Sequence, residues 1–257
     1  MIFDTHTHYD DEAFDEDRDA LLSGMKEQGV AKIVNIGSSF EANEHTLKLV
    51  GKYDFMKAAF GIHPEYGAQL NEENFKRLEE LCRKDCCVAV GEIGLDYYWP
   101  EPDPAIQRPW FARQMELARE IGKPIVVHSR DAAQDTYDMM RAAHAEEIGG
   151  VVHCFSYSKE MAKQFVDMGF FIGIGGVVTF KNSRKLKEVV EYIPLEHVVL
   201  ETDCPYLAPV PFRGKRNSSL LLPYVVDMIS ELKGISREEV EQVTWNNAHR
   251  LYRMKEE

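Results

Sequence analysis

Short apolar runs alternate with longer amphipathic segments along the whole chain. The runs are rich in Val, Ile and Phe, and most end in Gly, His or Asp. This pattern is typical of buried β-strands in a parallel sheet. It predicts eight strands, over residues 2–6, 31–37, 56–62, 88–94, 124–128, 150–155, 170–176 and 197–203.

The segments between these runs have helical spacing. Phe111, Met115 and Ala118 repeat at i, i+4 and i+7, which places them on one face of a helix. We interpret Pro109 as part of the first turn of that helix, where its missing N–H costs little. Ser236 and Glu239 form a capping-box pattern that predicts a helix running on to Leu251.

Strands that alternate with helices pair in parallel through helical crossovers. Eight such units in 257 residues match the size of a (β/α)8 barrel of the TIM type, so we predict a single domain over residues 1–257. An open doubly wound sheet is the alternative. Its dinucleotide-binding form has no support, because no G-x-G-x-x-G pattern follows the first strand.

Polar residues suited to metal binding stand at or next to the carboxyl ends of five predicted strands. In a barrel these ends meet at one rim, where active sites form. Singly, each of these residues is more simply a loop residue, but together they predict a metal site, because burying them unpaired is costly. The candidates are His6, His8, Glu92, His128, His153 and Asp203.

Six ligands are more than one ion needs, so we expect two divalent ions about 3.5–4 Å apart. The first takes ligands from the first and last strands, the second takes ligands from the fifth and sixth, and a carboxylate bridges them: His6, His8 and Asp203; His128 and His153; and Glu92. Asp203 is the expected general base. Four histidines favour Zn2+ or Mn2+ over Mg2+, which prefers oxygen.

Asp4 and Glu201 lie in period-two register with the ligands of the first and last strands. One interpretation places them behind the ligands, which they would orient by hydrogen bonds. The other makes them part of a buried polar network. The sequence leaves both open.

Charge argues against simple electrostatic binding to nucleic acid, because the net charge is −13. Metal ions or a local basic loop can reverse the sign where it matters. The chain shows no signal-peptide pattern and no apolar run long enough for a membrane span, and its five cysteines lack zinc or disulfide spacing. We therefore expect a cytoplasmic protein with reduced thiols, not associated with a membrane.

Several motifs resemble the TatD family of metal-dependent deoxyribonucleases, within the wider amidohydrolase-like barrels. They are DTHTHY, GIHPE, GEIGLDYYW, HSRDA, HCFSYS, IGIGG, LETDCPYLAP, PFRGKRN and NNAHRLY, and they cover nearly the whole chain in order. The resemblance implies a (β/α)8 barrel, a divalent-metal site with Mg2+ as the usual activator, and 3′-to-5′ exonuclease activity on DNA. The ligand positions of the family fall on the six residues predicted above.

The chain departs from the family pattern at two places. Ser219 stands where the family commonly has proline, so the loop after Arg216 and Asn217 is expected to differ, and with it any substrate contacts there. Cys204 stands where the family often has serine. Its neighbours fit the pattern, so we interpret Cys204 as a tolerated variant.

Candidate substrate contacts follow the same strand ends. Ser129 and Arg130 come directly after His128, and an arginine fork suits phosphate oxygens. His63 either contacts phosphate or caps a loop. The basic loop, RGKR at residues 213–216, either contacts DNA or is simply solvated. Tyr97, Tyr98, Trp99, Tyr206 and Phe212 either stack on unpaired bases or cover the barrel top. The predicted substrate-binding set is His63, Ser129, Arg130, Tyr206, Arg213, Lys215 and Arg216.

These features predict a two-metal exonuclease that acts as a monomer on DNA, with single-stranded 3′ ends as the expected substrate. One rival is a small-molecule amide or lactone hydrolase, which the acidic composition favours and the basic loop opposes. Another is hydrolysis of aminoacyl-tRNA esters. A non-catalytic DNA-binding protein would not need six intact ligands.

Overall fold

The computed structural model describes residues 1–255, so the last two residues of the predicted domain lie outside the described residues. Eight parallel strands follow one another around the sheet in chain order, as predicted. They are β1 (Ile2–Thr7), β2 (Val30–Ile36), β3 (Met56–Phe60), β4 (Cys87–Asp96), β5 (Ile125–Arg130), β6 (Gly150–Val152), β7 (Phe171–Ile174) and β8 (Val198–Leu200).

Backbone hydrogen bonds between the two ends of the sheet close it into a barrel. The Asp203 N–H donates to the His6 carbonyl at 3.0 Å, and the His8 N–H donates to the Cys204 carbonyl at 2.9 Å. The closure therefore runs through β1 and the segment just past β8. This confirms the predicted (β/α)8 barrel and excludes the open sheet.

Nine α-helices surround the described part of the barrel: α1 (Arg18–Ser23), α2 (Phe40–Lys52), α3 (Glu72–Cys82), α4 (Pro104–Ile121), α5 (Ala133–Ala142), α6 (Lys159–Asp167), α7 (Arg184–Tyr192), α8 (Leu222–Lys233) and α9 (Arg237–Leu251). The Ser236 hydroxyl accepts the Glu239 N–H at 3.1 Å, so α9 begins with the predicted cap. None of the helices within residues 1–255 is long and apolar enough to cross a bilayer.

The start of α4 differs from the prediction. This helix begins at Pro104, and Pro109 lies inside it rather than in its first turn. The Asp103 side chain accepts the Ala105 N–H at 2.7 Å, so an Asp–Pro pair sets the true start. The interpretation of Pro109 was wrong because a stronger start signal lies five residues earlier.

Strands β6 and β8 end earlier than the apolar runs suggest. They stop at Val152 and Leu200, and the residues that follow leave extended geometry, with φ of 44° at Cys154 and 56° at Asp203. His153 and Asp203 therefore lie in turns just past the strands. A turn lets such side chains face across the rim instead of along a strand.

One buried cluster takes side chains from all eight strands, so it fills the barrel interior. Small Val and Ala residues dominate it, with Phe3 and Phe171. Leu251 and Tyr252 cover it from the C-terminal segment, and the Tyr252 hydroxyl donates to the Thr5 carbonyl at 2.6 Å. The larger cluster lies between strands and helices. This packing leaves the opposite end of the barrel, where the carboxyl ends of the strands lie, available for functional side chains.

Two glycine-to-alanine changes test this packing. Gly94 has φ of +148°, and a Cβ there would collide with the His128 carbonyl of the neighbouring strand. We expect Gly94→Ala to lower the free energy of unfolding by more than about 2 kcal/mol. Gly51 in α2 has open space, so Gly51→Ala should raise it by about 0.5–1 kcal/mol. Urea unfolding measures both, and equal effects would contradict the proposed collision.

Candidate metal centre

The six predicted ligands lie together at the carboxyl end of the barrel. They come from β1 and the residue just after it, from β4 and β5, and from the segments just after β6 and β8, elements that only barrel closure brings together. Five of them line an open cleft of about 1280 Å3, and His6 is buried beneath it. Such a cleft admits an extended substrate to a buried centre.

Glu92 lies at the middle of this group and is almost fully buried. Its Oε1 is 2.6 Å from His153 Nε2 and 2.9 Å from His128 Nδ1. Its Oε2 is 3.5 Å from His6 Nε2 and 3.7 Å from His8 Nε2. The two carboxylate oxygens therefore face two separate pairs of imidazoles.

His6, His8 and Asp203 form one compact group. The two Nε2 atoms are 3.1 Å apart, and Asp203 Oδ1 lies 3.3 Å from His8 Nε2. The other ring nitrogen of His8 is held by the Ile36 carbonyl at 2.9 Å. If His8 Nδ1 donates to this carbonyl, its Nε2 lone pair is free to bind a cation.

The carboxyl groups and imidazoles of this centre shift each other's pKa values, because they are in close contact. Burial opposes ionisation of Glu92 and Asp203, but the surrounding histidines outweigh it and lower the pKa of both carboxyls. Burial likewise opposes charging of His8 and His128, yet neighbouring carboxylates raise their pKa values to about 10 and about 9. Burial, with the adjacent His153, lowers the pKa of His6 to about 4. The carboxylates thus favour bound positive charge, which a divalent cation supplies as it displaces protons.

Glu201 lies behind two of the imidazoles. His6 and His153 stack with ring centroids 3.9 Å apart. Their Nδ1 atoms and Glu201 Oε2 are buried and have no hydrogen-bond partner within residues 1–255. His153 Nδ1 is 4.0 Å from Glu201 Oε1, and the same oxygen accepts the Cys154 N–H at 2.5 Å. Burial raises the pKa of Glu201 to about 8.

This arrangement fits a metal centre. Imidazoles that bind cations through Nε2 carry a proton on Nδ1, and a carboxylate behind them orients the rings. The donor set of imidazole and carboxylate suits a divalent cation. His6, His8, Glu92, His128, His153 and Asp203 would hold the metal.

Asp4 joins β1 to the segment after β8. Its Oδ2 accepts hydrogen bonds from the Thr202 and Ser219 hydroxyls, both at 2.7 Å, and its Oδ1 accepts the Thr202 N–H at 3.1 Å. Asp4 therefore belongs to a buried network beside His6. Ser219 completes that network, and a proline at this position would supply neither its hydroxyl nor its N–H, which donates to the Tyr9 hydroxyl oxygen.

Sequence reasoning missed Asp96. Its Oδ2 lies 2.9 Å from His128 Nε2, and its Oδ1 accepts the Tyr98 N–H at 2.9 Å. The contact fixes the ring of His128 so that Nδ1 faces Glu92. Period-two spacing from Glu92 through Gly94 to Asp96 was the signal that could have identified it.

The residues predicted to contact substrate differ in how they are placed relative to the cleft. His63 both caps the loop after β3, accepting the Glu65 N–H, and faces the centre, with Nε2 3.8 Å from Glu92. Ser129 lines the cleft, but its hydroxyl is already hydrogen bonded to the hydroxyls of Thr136 and Tyr157, at 2.8 and 3.0 Å. Arg130 lines the cleft and is exposed.

The basic loop lies outside the residues that line the cleft. Arg216 forms a two-pronged ion pair with Asp17 at 2.6 and 2.7 Å, and Arg213 stacks over Phe180 with its guanidinium carbon 4.5 Å from the ring centroid. Lys215 lies over the Phe212 ring. Tyr206 does line the cleft, and its hydroxyl donates to Asp11 at 2.9 Å.

A (β/α)8 barrel with this centre defines a metal-dependent hydrolase. The family model described as TatD related DNase matches residues 3–253, and the chain belongs to this family. Among curated relatives, the uncharacterized metal-dependent hydrolase YabD of Bacillus subtilis is 41% identical over 99% of this chain and 100% of its own length. YcfH of Escherichia coli K12, described in the same words, is 36% identical over 98% of this chain and 96% of its own.

Solved structures agree with this assignment. The structure of YjjV, a TatD homologue from Escherichia coli K12, superposes with a TM-score of 0.93 at 30% identity and covers 99% of this chain and 98% of its own. A TatD-family hydrolase from Entamoeba histolytica has a TM-score of 0.90 at 24% identity, covering 98% and 97%, and shares the fold.

Removing the Glu92 carboxylate should abolish most of the stabilisation that bound metal gives the folded protein. Metal at about a hundred times its Kd should raise the free energy of unfolding of the wild type by about 2.7 kcal/mol. We expect Glu92→Gln to lose most of this gain, because Glu92 faces both imidazole pairs. Thermal unfolding with Mn2+ and with EDTA measures it. Glu65→Gln, at the half-exposed rim, is the matched control, and full Mn2+ stabilisation of Glu92→Gln would contradict the role of Glu92.

Proposed function

We propose that the protein is a 3′-to-5′ exodeoxyribonuclease that removes nucleotides from single-stranded 3′ ends with two divalent ions. The observation that supports this most directly is the division of the Glu92 carboxylate, with one oxygen toward His128 and His153 and the other toward His6 and His8. Bound there, two divalent cations would neutralise phosphodiester charge and make a water molecule easier to deprotonate. Mg2+ is the expected activator by family, whereas the histidines favour Mn2+ or Zn2+.

The side chains of this chain supply the remaining steps. Asp203 is ionised and partly open to the cleft, so it can accept the proton of the attacking water as that water bonds to phosphorus. The P–O3′ bond to the preceding nucleotide breaks in the same displacement, and the released 3′ oxygen takes up a proton to leave a 3′ hydroxyl on the shortened strand. Glu92 keeps the two imidazole pairs in place. Arg130 presents donors to the phosphate oxygens, and His63 lies at the same rim.

We further propose a cytoplasmic monomer that degrades or repairs DNA. Ser129 would contact the substrate through the backbone at this position, since its hydroxyl is hydrogen bonded to Thr136. The loop from Arg213 to Arg216 would serve as a more distant phosphate contact. Tyr206 would border the path of the strand.

A second candidate is hydrolysis of a small amide or of an aminoacyl-tRNA ester. One observation favours it, the row of carboxylates along one side of the cleft at Asp10, Asp11, Glu12, Asp15 and Glu41. Such a row would attract an ammonium group and repel phosphate.

A cleavage time course separates these candidates. With Mg2+ and 5′-labelled single-stranded DNA, we expect a ladder that shortens one nucleotide at a time from the 3′ end and that EDTA abolishes. An intact oligonucleotide with both Mg2+ and Mn2+ would reject the nuclease proposal. It would favour the ester or amide hydrolase at the same centre.

Replacing the proposed base tests the proton transfer. Asp203→Asn keeps the shape of the side chain but cannot accept the proton, so kcat should fall by about 10²–10⁴-fold. Far-UV circular dichroism should show an unchanged fold. Asp11→Asn on the rim is the control and should cleave nearly normally. Wild-type turnover by Asp203→Asn would assign the base elsewhere.

The two arginines should differ in importance. Arg130 lines the cleft and forms no ion pair within residues 1–255, so Arg130→Ala should raise KM by about tenfold or more and reduce the salt dependence of binding by about one phosphate contact. Arg216 is held by Asp17, so Arg216→Ala should change KM less. Steady-state kinetics at several salt concentrations measures both, and the reverse order would place the phosphates on the basic loop.

A further inference from the structure

The cleft has an acidic half and a half suited to a polyanion. Carboxylates border it after β1, β2 and β3, among them Asp11, Glu41 and Glu65. The lining residues contributed after β5 to β8 include, within residues 1–255, no carboxylate other than Asp203. They are Ser129, Arg130, His153, Cys154, Ser156, Val177, Tyr206 and Leu207, with Asp203 itself. A DNA strand would therefore be repelled from the first half and accepted by the second.

Arg130 stands at the start of the accepting half. Its guanidinium carbon lies 3.7 Å from the Tyr98 ring centroid, which is close stacking. Three other arginines near the rim are already engaged, Arg18 with Asp15, Arg216 with Asp17 and Arg213 over the Phe180 ring. Stacking on Tyr98 leaves the donors of Arg130 available, in a fixed plane, for a phosphate.

Trp99 extends this surface. The Tyr98 and Trp99 rings meet edge to face at 86° with centroids 4.8 Å apart, and the side chains are 52% and 49% exposed. One face of Tyr98 is occupied by Arg130, whereas Trp99 lines the cleft. Tyr97, by contrast, is turned away and hydrogen bonded to Asp135 and Arg108.

The surface formed by Tyr98, Trp99 and Arg130, here called the platform, is linked to the candidate metal centre through Asp96. Asp96 accepts the Tyr98 N–H with one carboxylate oxygen and contacts His128 with the other. The Asp96 side chain therefore fixes the distance between His128 and the platform. A nucleotide bound on the platform would hold a fixed place relative to the centre.

We propose that Trp99 stacks on one unpaired base of the substrate strand while Arg130 binds the phosphate of the same strand. This site rests on the proposed nuclease function and gives it a substrate class, single strands with intact bases near the 3′ end. A paired base cannot offer its face to the indole without leaving the duplex. Base stacking tolerates any sequence, since every base has a π-face.

The experiment compares two 5′-labelled single strands, one of oligo-dT and one with abasic units at its last 3′ positions. The wild type should show a KM about fivefold to a hundredfold lower for the strand with bases, at similar kcat. Trp99→Ala should remove this difference, and Trp99→Phe should keep much of it. Tyr192→Ala, an equally exposed aromatic residue on α7, should behave like the wild type.

A binding measurement makes the inference independent of turnover. Anisotropy of the labelled strands with Mn2+ should show the same preference for bases, and Trp99→Ala should abolish it. Equal affinity of the wild type for both strands, or an undiminished preference in Trp99→Ala, would overturn the inference. Cleavage of both strands with no preference would spare the nuclease proposal, whereas a Trp99-dependent preference without any cleavage would reject the nuclease and retain the site.

Discussion

One buried carboxylate organises this protein. Glu92 is within 4.0 Å of five imidazoles, from His6, His8, His63, His128 and His153. An isolated buried carboxylate is strongly unfavourable, so Glu92 and its histidines depend on one another. Displacing any of these side chains would leave charge or hydrogen-bonding capacity unpaired in the barrel. This mutual dependence explains why the ligands are supported so thoroughly from behind.

That support also closes the barrel. Asp4 on β1 binds Thr202 and Ser219, which follow β8, and the Asp203 N–H donates to the His6 carbonyl. The first and last strands are therefore joined by the same residues that position His6 and Asp203. Closure of the fold and assembly of the centre are one physical constraint, since neither ligand reaches the other in an open sheet.

The sequence predicted what depends on local pattern. Buried strands show as apolar runs, and histidines that follow such runs are conspicuous, so the barrel and the gathering of six candidate ligands at its rim could be inferred before the structure. Asp96 was missed because an aspartate near a turn is common, although its spacing from Glu92 was informative. The ion pair of Arg216 with Asp17 could not have been predicted, because the two residues lie 199 positions apart and charge alone does not specify a partner.

Ser219 illustrates the same limit at finer scale. Its departure from the family pattern suggested an altered substrate loop, yet its hydroxyl is buried beside Asp4 and Tyr9. Ser219, which the sequence suggested would alter substrate contacts, instead belongs to the buried network around Asp4. Only the three-dimensional contacts distinguish a residue that faces the substrate from one that faces the framework.

The net charge of −13 gives a misleading picture of the cleft when it is averaged over the surface. Carboxylates gather after β1 to β3, whereas Arg130, the last residue of β5, lies over the Tyr98 ring and forms no ion pair within residues 1–255. An acidic protein can in this way direct a polyanion along one half of its cleft, because screening in solution limits the reach of distant charges to about 10 Å. Under the nuclease proposal, the acidic half contributes direction as well as repulsion, since it leaves a DNA strand only one side of the cleft on which to lie.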